Sequence, residues 1–201
     1  FKGVVPAYLA DDSLGGAINV VLKKGAKNSL NASLSYGSFN TVQSNVNASY
    51  RDKNGFTVKA NAFQNYSDND YEDWGKWVYN IAPNGRYEYI RAKRFESMYR
   101  SFGGRLEAGF TNVDWADNLL ISYNGSQDFN QIQHGQYMTK PYKGRFSESA
   151  ANVFSLNYSK KDFLIKNLDF SLISVYSHRN DVINDTVKWN YNWNGEKALG
   201  L

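Results

Sequence analysis

Hydrophobic and polar residues alternate with a period of two along most of this chain. In the segment 29–36, Leu30 and Leu34 fall in one phase, while Asn31 and Ser33 fall in the other. A period of two puts the two sets on opposite faces of a β-strand. The same alternation predicts seven strands, at 29–36, 41–50, 56–66, 99–111, 118–127, 152–160 and 168–178. No segment shows a convincing helical period of 3.6, so the predicted fold class is all-β.

After the first hairpin, at 37–40, the predicted connections alternate between long and short. The short ones are 51–55, 112–117 and 161–167. The long ones are 67–98, 128–151 and 179–201. In an antiparallel sheet this places the short turns at one end and the long loops at the other, as is typical of outer-membrane barrels. The pattern therefore favours an antiparallel transmembrane β-barrel.

The charged residues in the middle of the predicted strands favour the same interpretation. Lys59, Arg105 and Glu107 all lie in the phase opposite to the leucine and phenylalanine side chains. An Arg or Lys that faces lipid costs about 2–4 kcal/mol at the bilayer midplane, whereas one that faces a wet lumen costs little. We therefore predict that these three side chains line a lumen. The alternation is imperfect, because apolar residues such as Leu120, Val153, Ile173 and Val175 fall in the polar phase.

A soluble β-sandwich also alternates, with its apolar phase turned to a core and its polar phase to water. Sandwich strands are usually about five or six residues long. The segments here are longer, and their polar phase is rich in Asn and Ser rather than Lys and Glu. The barrel is therefore favoured, and the sandwich stays open as the alternative.

Composition excludes several classes of function. The 201 residues include no cysteine, which excludes a disulfide framework, thiolate metal sites and thiol catalysis. His134 and His178 lie in or beside different long loops without a nearby carboxylate cluster, so no metal site is predicted. No seryl-nucleophile motif is found, and we expect neither an enzyme nor a cofactor. The net charge of +4 is spread among interspersed acids and bases, which does not indicate a nucleic-acid partner.

The stretch that precedes the first predicted strand carries a recognisable motif. It reads Leu14-Gly15-Gly16-Ala17-Ile18-Asn19, followed by a β-branched run and two lysines. This motif resembles the end of the plug domain of TonB-dependent outer-membrane receptors, and 35–40 (SYGSFN) resembles the short first outer hairpin of that family. The resemblance implies that residues 1–26 end a plug and that 27–201 begin a barrel of about 22 strands. Seven strands cannot close such a barrel, so we expect both ends of the chain to continue in a longer protein.

What the resemblance implies about function is energy-coupled import across the bacterial outer membrane. The implied ligand is a siderophore-type metal chelate or similar small molecule. The implied partners are outer-membrane lipid and a TonB-type energy-transducing protein, reached through residues upstream of this chain. Two alternatives stay open: a glycan-importing receptor that works with a surface lipoprotein, and a non-transporting β-sandwich adhesin or binding module.

The long connection 67–98 is the richest candidate for ligand binding. It combines aromatic rings suited to stacking with guanidinium groups suited to carboxylates. The candidate ligand-binding residues are Trp74, Trp77, Tyr79, Arg91 and Arg94. The alternative is that these aromatic residues form an interfacial belt or pack within the loop, while the charges pair with one another. Near the C-terminus, Trp189, Tyr191 and Trp193 alternate, which predicts the outer end of a strand with girdle aromatics, and a sugar-stacking platform is the alternative.

Overall fold

The structure of the protein is a computed structural model, and it describes residues 28–198. Within this range the chain is all-β and contains no helix. The strands are β1 (Ser29–Gly37), β2 (Thr41–Arg51), β3 (Phe56–Ser67), β4 (Glu72–Asp73), β5 (Tyr79–Ile81), β6 (Tyr87–Tyr89), β7 (Ala92–Lys93), β8 (Tyr99–Val113), β9 (Ala116–Gln131), β10 (Phe146–Lys160) and β11 (Phe170–Asn184). The all-β prediction is confirmed, and each of the seven predicted strands is present.

Seven of the strands form one large antiparallel sheet in the order β1-β2-β3-β8-β9-β10-β11. Every neighbour in this sheet is also the next long strand along the chain, so the sheet is a simple meander. β1 and β11 are its edges, and the sheet does not close on itself within residues 28–198. The four short strands form two ribbons, β4 with β7 and β5 with β6, inside the connection from β3 to β8.

One face of the sheet is apolar and exposed. The register lines up Ala60, Leu106, Tyr123, Phe154 and Tyr176 in a single row across five strands. Leu106 is 53% exposed, Phe154 is 51% exposed and Tyr176 is 66% exposed. The alternation along each strand places all these side chains on the same side of the sheet. Within residues 28–198 no second layer covers them.

The opposite face is polar and better packed. The row next to Leu106 contains Lys59, Glu107, Ser122 and Ser155. Ser122 is 1% exposed, and its hydroxyl lies 2.5 Å from the hydroxyl of Ser155. Hydroxyl pairs of this kind satisfy each other across neighbouring strands. The apolar exceptions to the alternation also lie on this face, where Leu120 is buried.

An aromatic ring covers a glycine in the middle of the polar face. Gly103 on β8 pairs with Phe63 on β3, and a Cβ at Gly103 would lie 2.9 Å from the Phe63 ring. The same Cβ would lie 2.7 Å from the carbonyl oxygen of Gly125. Gly103 therefore lets Phe63 and the β9 backbone approach more closely than any larger residue would allow.

Three strands extend further toward the long loops than their apolar pattern predicts. β9 continues to Gln131, β10 begins at Phe146, and β11 continues to Asn184. These extensions are rich in polar residues, yet their backbone groups continue the ladder, with Phe146 paired to both Gln131 and Asn184. The predicted loops 128–151 and 179–201 are correspondingly shorter than expected, because backbone pairing does not require an apolar face.

The short turns are held by side chains that reach across strands. Arg51, at the end of β2, donates through Nη2 to the carbonyl oxygen of Thr111 at 2.8 Å and through Nε to its hydroxyl at 3.1 Å. The Thr111 hydroxyl lies 2.7 Å from that of Thr57. Gly55 completes the turn with φ +86°, a conformation that glycine adopts without strain.

The described part of the chain includes no helix with the length and apolar character needed to cross a membrane.

Candidate functional site

The long connections pack together beyond one end of the sheet. Val78 from the first loop is 0% exposed, and Trp193 from the last is 3% exposed. They form a small core with Ala92, against which Ile90 and Met138 pack. We call this unit, made of residues 68–98, 132–145 and 185–198, the loop lobe. Three segments that are far apart in sequence therefore form one packed body.

Trp193 joins the three segments of the loop lobe. Its indole Nε1 donates to the carbonyl oxygen of Met138 at 2.9 Å, and its backbone N–H donates to Oδ1 of Asn80 at 3.0 Å. The prediction of a strand over Trp189, Tyr191 and Trp193 is wrong. The chain there forms a turn closed by an isolated bridge, and Trp193 points into the lobe core rather than to an interface.

Arg94 is the centre of a polar network at the base of the loop lobe. Its Nη1 lies 3.0 Å from Oδ2 of Asp73 and 3.1 Å from Nε2 of His134, and its Nε donates to the hydroxyl of Ser97 at 3.0 Å. The guanidinium carbon lies 5.0 Å from the centre of the Tyr71 ring. His134 Nδ1 lies 2.7 Å from the carbonyl oxygen of Gly135, so the tautomer that donates there from Nδ1 accepts from Arg94 through Nε2.

Next to this network lies a polar pocket of about 350 Å³. Its lining residues include Asn69, Arg94, Ser97, Gln133 and His134. Gln133 is 1% exposed and accepts a hydrogen bond from Ser97 at 2.9 Å. Its Nε2 has no hydrogen-bond partner within residues 28–198. The pocket is therefore rich in donor groups and suits a small polar ligand.

Two of the five candidate ligand-binding residues form an exposed pair. The guanidinium of Arg91 lies 5.0 Å from the ring centre of Trp74, which is 65% exposed. A second exposed aromatic site combines Trp77 with Tyr137, whose ring centres are 5.4 Å apart. Lys76 lies 4.8 Å from the Trp77 ring. Each site offers a flat aromatic surface with a cation beside it.

Tyr79 belongs to a third aromatic cluster, on the β5–β6 ribbon. Its ring centre is 4.6 Å from that of Tyr87 and 5.8 Å from that of Tyr89. Tyr87 and Tyr89 are largely exposed. Apart from the Trp74–Arg91 pair, the five candidates therefore lie at separate positions on the loop lobe, and of the five only Arg94 lines the polar pocket.

An exposed ion pair closes the side of the lobe nearest the first hairpin. Lys93 Nζ lies 2.6 Å from Oδ2 of Asp70. The hydrogen bond that Lys93 donates to Asp70, together with the negative charge of that carboxylate, raises the pKa of Lys93 above its ordinary value. The pair thus connects β7 to Asp70, two residues before β4.

Lys59, Arg105 and Glu107 come together on the polar face of the sheet. Lys59 faces Glu107 across the β3–β8 ladder, with Nζ 4.0 Å from Oε2, and the Arg105 guanidinium bonds the other carboxylate oxygen. The Glu107 side chain is 13% exposed, whereas those of Lys59 and Arg105 are 39% and 41% exposed. Two cations thus surround one carboxylate, and the cluster carries a net positive charge.

The motif predicted to end a plug domain lies outside the described residues. It comprises Leu14, Gly15, Gly16, Ala17, Ile18 and Asn19. Within residues 28–198 no group of three or more metal-ligating side chains is found. The sequence did not predict that Ser97, Gln133 and His134 come together around the polar pocket, because no local pattern shows which loop residues meet.

Comparison of the chain with protein-family models, with curated proteins and with solved structures gives no match. The features that bear on function are therefore the motif at 14–19 and the geometry of the sheet and the loop lobe.

Proposed function

We propose that this chain is part of a TonB-dependent outer-membrane receptor that imports a scarce small molecule. In this proposal residues 1–26 end the plug, and the seven long strands form part of the wall of a transmembrane barrel. The ligand class is a siderophore-type metal chelate or a similar small molecule. The plug is remodelled by an energy-transducing protein of the inner membrane, and the chain itself catalyses no reaction.

The apolar face of the sheet, which residues 28–198 leave uncovered, is the observation that carries the proposal. In water a face of this size would promote aggregation or require a covering partner. In lipid it needs none, because acyl chains solvate it. The segregation of Lys59, Arg105 and Glu107 to the other face agrees with this, since charged side chains are costly at the lipid-facing midplane.

One group of aromatic residues on the apolar face lies at the short-turn end. Phe56 and Phe110 lie 5.7 Å apart on neighbouring strands, and Trp115 in the next turn lies 5.5 Å from Phe110. Further along, Tyr158 lies 5.9 Å from Phe170. A row of this kind suits the boundary between acyl chains and headgroups, where amphipathic rings are enriched.

A second aromatic zone lies on the same face near the long loops. Phe129 and Phe146 stack with ring centres 5.2 Å apart, and the Arg100 guanidinium lies 5.1 Å from the Phe129 ring. On β3 the two zones are represented by Phe56 and Tyr66, at opposite ends of a 12-residue strand. A tilted strand needs about 9–11 residues to cross the hydrocarbon layer, so the separation suits a membrane.

The positive cluster on the polar face suits contact with a plug. The Nε of Arg105 is buried and has no hydrogen-bond partner within residues 28–198. In the proposed receptor it faces the barrel interior, where a plug provides carboxylate and carbonyl acceptors. The loop lobe lies at the opposite end from the short turns, where a ligand from outside the cell arrives first.

Uptake by the full-length protein tests the proposal. A strain that lacks the gene is compared with its parent for growth and for radiolabelled uptake on ferric chelates, cobalamin and glycans. We expect a defect on one ferric chelate, which a protonophore reproduces in the parent. Membrane fractionation should place the protein in the outer membrane. Recovery in a soluble or secreted fraction would overturn the proposal and favour the β-sandwich binding module.

The exposed aromatic–cation pairs provide the ligand-binding test. Replacing Trp74 and Arg91 together by alanine should weaken chelate binding several-fold without changing the amount of protein in the membrane. Unchanged affinity would mean that Trp74 and Arg91 do not contribute to chelate binding. A defect confined to glycans would instead favour the glycan-importing alternative, for which exposed rings provide stacking surfaces.

A further inference from the structure

The turn between β10 and β11 exposes two large aliphatic side chains. Leu164 is 86% exposed and Ile165 is 65% exposed. Leu164 also has a φ of +66°, a left-handed conformation that a leucine rarely adopts. A glycine or asparagine would fit this position with less strain and less exposed apolar surface. An exposed leucine in a strained conformation suggests a functional contact.

The turn has a defined conformation. The backbone N–H of Phe163 donates to the carbonyl oxygen of Leu168 at 2.6 Å, and that of Asn167 donates to Oδ1 of Asp162 at 2.6 Å. The N–H of Asp162 donates to Oδ1 of Asp169 at 3.2 Å. These bonds close the turn at both sides, so the tip that carries Leu164 and Ile165 is presented by an ordered backbone.

The turn continues the aromatic zone at the short-turn end. The Phe163 ring stacks on Phe170 with centres 5.1 Å apart. Tyr158, which also contacts Phe170, donates from its hydroxyl to the carbonyl oxygen of Trp115 at 2.8 Å. Trp115 lies in the neighbouring β8–β9 turn, and its indole is 51% exposed. The hydrogen bond from Tyr158 connects it to the same aromatic row.

Three lysines flank the aliphatic tip in the sequence. Lys160 and Lys161 precede it and Lys166 follows it. The two acids of the turn, Asp162 and Asp169, use carboxylate oxygens to accept backbone N–H groups. Long lysine side chains beside an apolar tip can reach the phosphates of a lipid surface while their methylene groups stay in the apolar layer.

We propose that residues 160–168 form an interfacial anchor for a phospholipid surface with anionic headgroups. Leu164 and Ile165 enter the boundary between headgroups and acyl chains, and the three lysines contact headgroup phosphates. The inference rests on the proposed function, because it requires the short-turn end of the apolar face to lie in the leaflet that the turn contacts.

Spin labels measure where the turn lies. Because these 201 residues contain no cysteine, each introduced cysteine is the only labelling site among them. The full-length protein, with any cysteine elsewhere replaced by serine, is reconstituted in vesicles of phosphatidylethanolamine and phosphatidylglycerol. A nitroxide is attached at Leu164→Cys, at Leu106→Cys on the apolar face, or at Lys53→Cys in the polar β2–β3 turn. Accessibility to dissolved oxygen is compared with accessibility to a water-soluble nickel chelate.

We expect the labels at 164 and 106 to favour oxygen and the label at 53 to favour nickel. A label at 164 that favours nickel while the one at 106 favours oxygen would overturn the anchor alone. Nickel access at both 164 and 106 would overturn the proposed function as well. Shielding of 164 from both reagents, seen in native membranes but not in vesicles, would indicate a protein partner and would also overturn the anchor.

A polar variant provides a second measurement. Asparagine tolerates the left-handed conformation of residue 164, so Leu164→Asn should leave the turn folded. In this background a label at Ile165→Cys should become several-fold more accessible to nickel than in the parent. Unchanged shielding at 165 would contradict a lipid contact made through Leu164.

Discussion

The indole Nε1 of Trp193 donates a 2.9 Å hydrogen bond to the carbonyl oxygen of Met138, 55 residues earlier in the chain. This bond, together with the burial of the ring, connects the last described segment to the loops before it. The arrangement makes Trp193 the side chain on which the packing of the loop lobe most depends.

Replacing Trp193 by alanine should therefore loosen the loop lobe without unfolding the sheet. Loss of a buried tryptophan typically costs about 3–5 kcal/mol, and here the loss falls on the lobe. We expect fast amide hydrogen exchange and proteolysis within residues 68–98 and 132–145, with the strands still protected. Trp189, which is 53% exposed, is the matched control, and Trp189→Ala should leave both rates nearly unchanged. Equal behaviour of the two variants would contradict the central role of Trp193.

The two faces of the sheet should respond oppositely to a new charge. Leu106→Arg places a guanidinium on the apolar face in mid-strand and should lower the free energy of unfolding from vesicles by about 2–4 kcal/mol. Asn45→Arg places the same group on the polar face of β2 and should change it little. Denaturant titration of the refolded full-length protein measures both. If Leu106→Arg is neutral and Asn45→Arg is not, the assignment of the faces is reversed.

Gly103 and Gly37 provide a test of close packing on the polar face. Gly103→Val would push a side chain into the Gly125 carbonyl oxygen and the Phe63 ring, and should destabilise the protein by about 1–3 kcal/mol. A Cβ at Gly37 would have no neighbour closer than 4.0 Å, so Gly37→Val should change stability by less than about 0.5 kcal/mol. The comparison uses thermal unfolding, and a tolerated Gly103→Val would mean that Phe63 can move away from β8.

Arg94 is expected to stabilise the loop lobe rather than to bind ligand directly. Arg94→Met would leave the Asp73 carboxylate without its cation and would remove the donor to His134. An unpaired, partly buried group of this kind costs about 1–3 kcal/mol, so the lobe should become more susceptible to proteolysis. Arg91→Met, at the exposed Trp74 pair, should not have this effect.

The outcome with Arg94→Lys distinguishes the two roles further. A lysine keeps the charge but cannot place donors toward Asp73, Ser97 and His134 at once. We therefore expect only partial recovery of protease resistance. If both Arg94 variants keep a fully protected lobe and lose only ligand affinity, Arg94 acts on the ligand and the structural assignment is wrong.

The sequence alone was sufficient to predict the seven strands and their two faces. Strand periodicity is a local property, because neighbouring residues point to opposite sides of any strand. This is why Lys59 and Glu107 could be placed on one face, and Leu106 on the other, before their contacts were known. The residues that extend β9, β10 and β11 beyond the apolar pattern were missed, since their pairing comes from backbone hydrogen bonds alone.

Only the tertiary structure decided what the loops do. Arg94 meets His134 across 40 positions and Trp193 meets Asn80 across 113, distances over which the sequence carries no periodic signal. The choice of partners there depends on which side chains fit and satisfy one another once the sheet has brought the loops to one end. The alternation along each strand follows from covalent geometry, whereas the loop contacts follow from packing among segments that are remote in the chain.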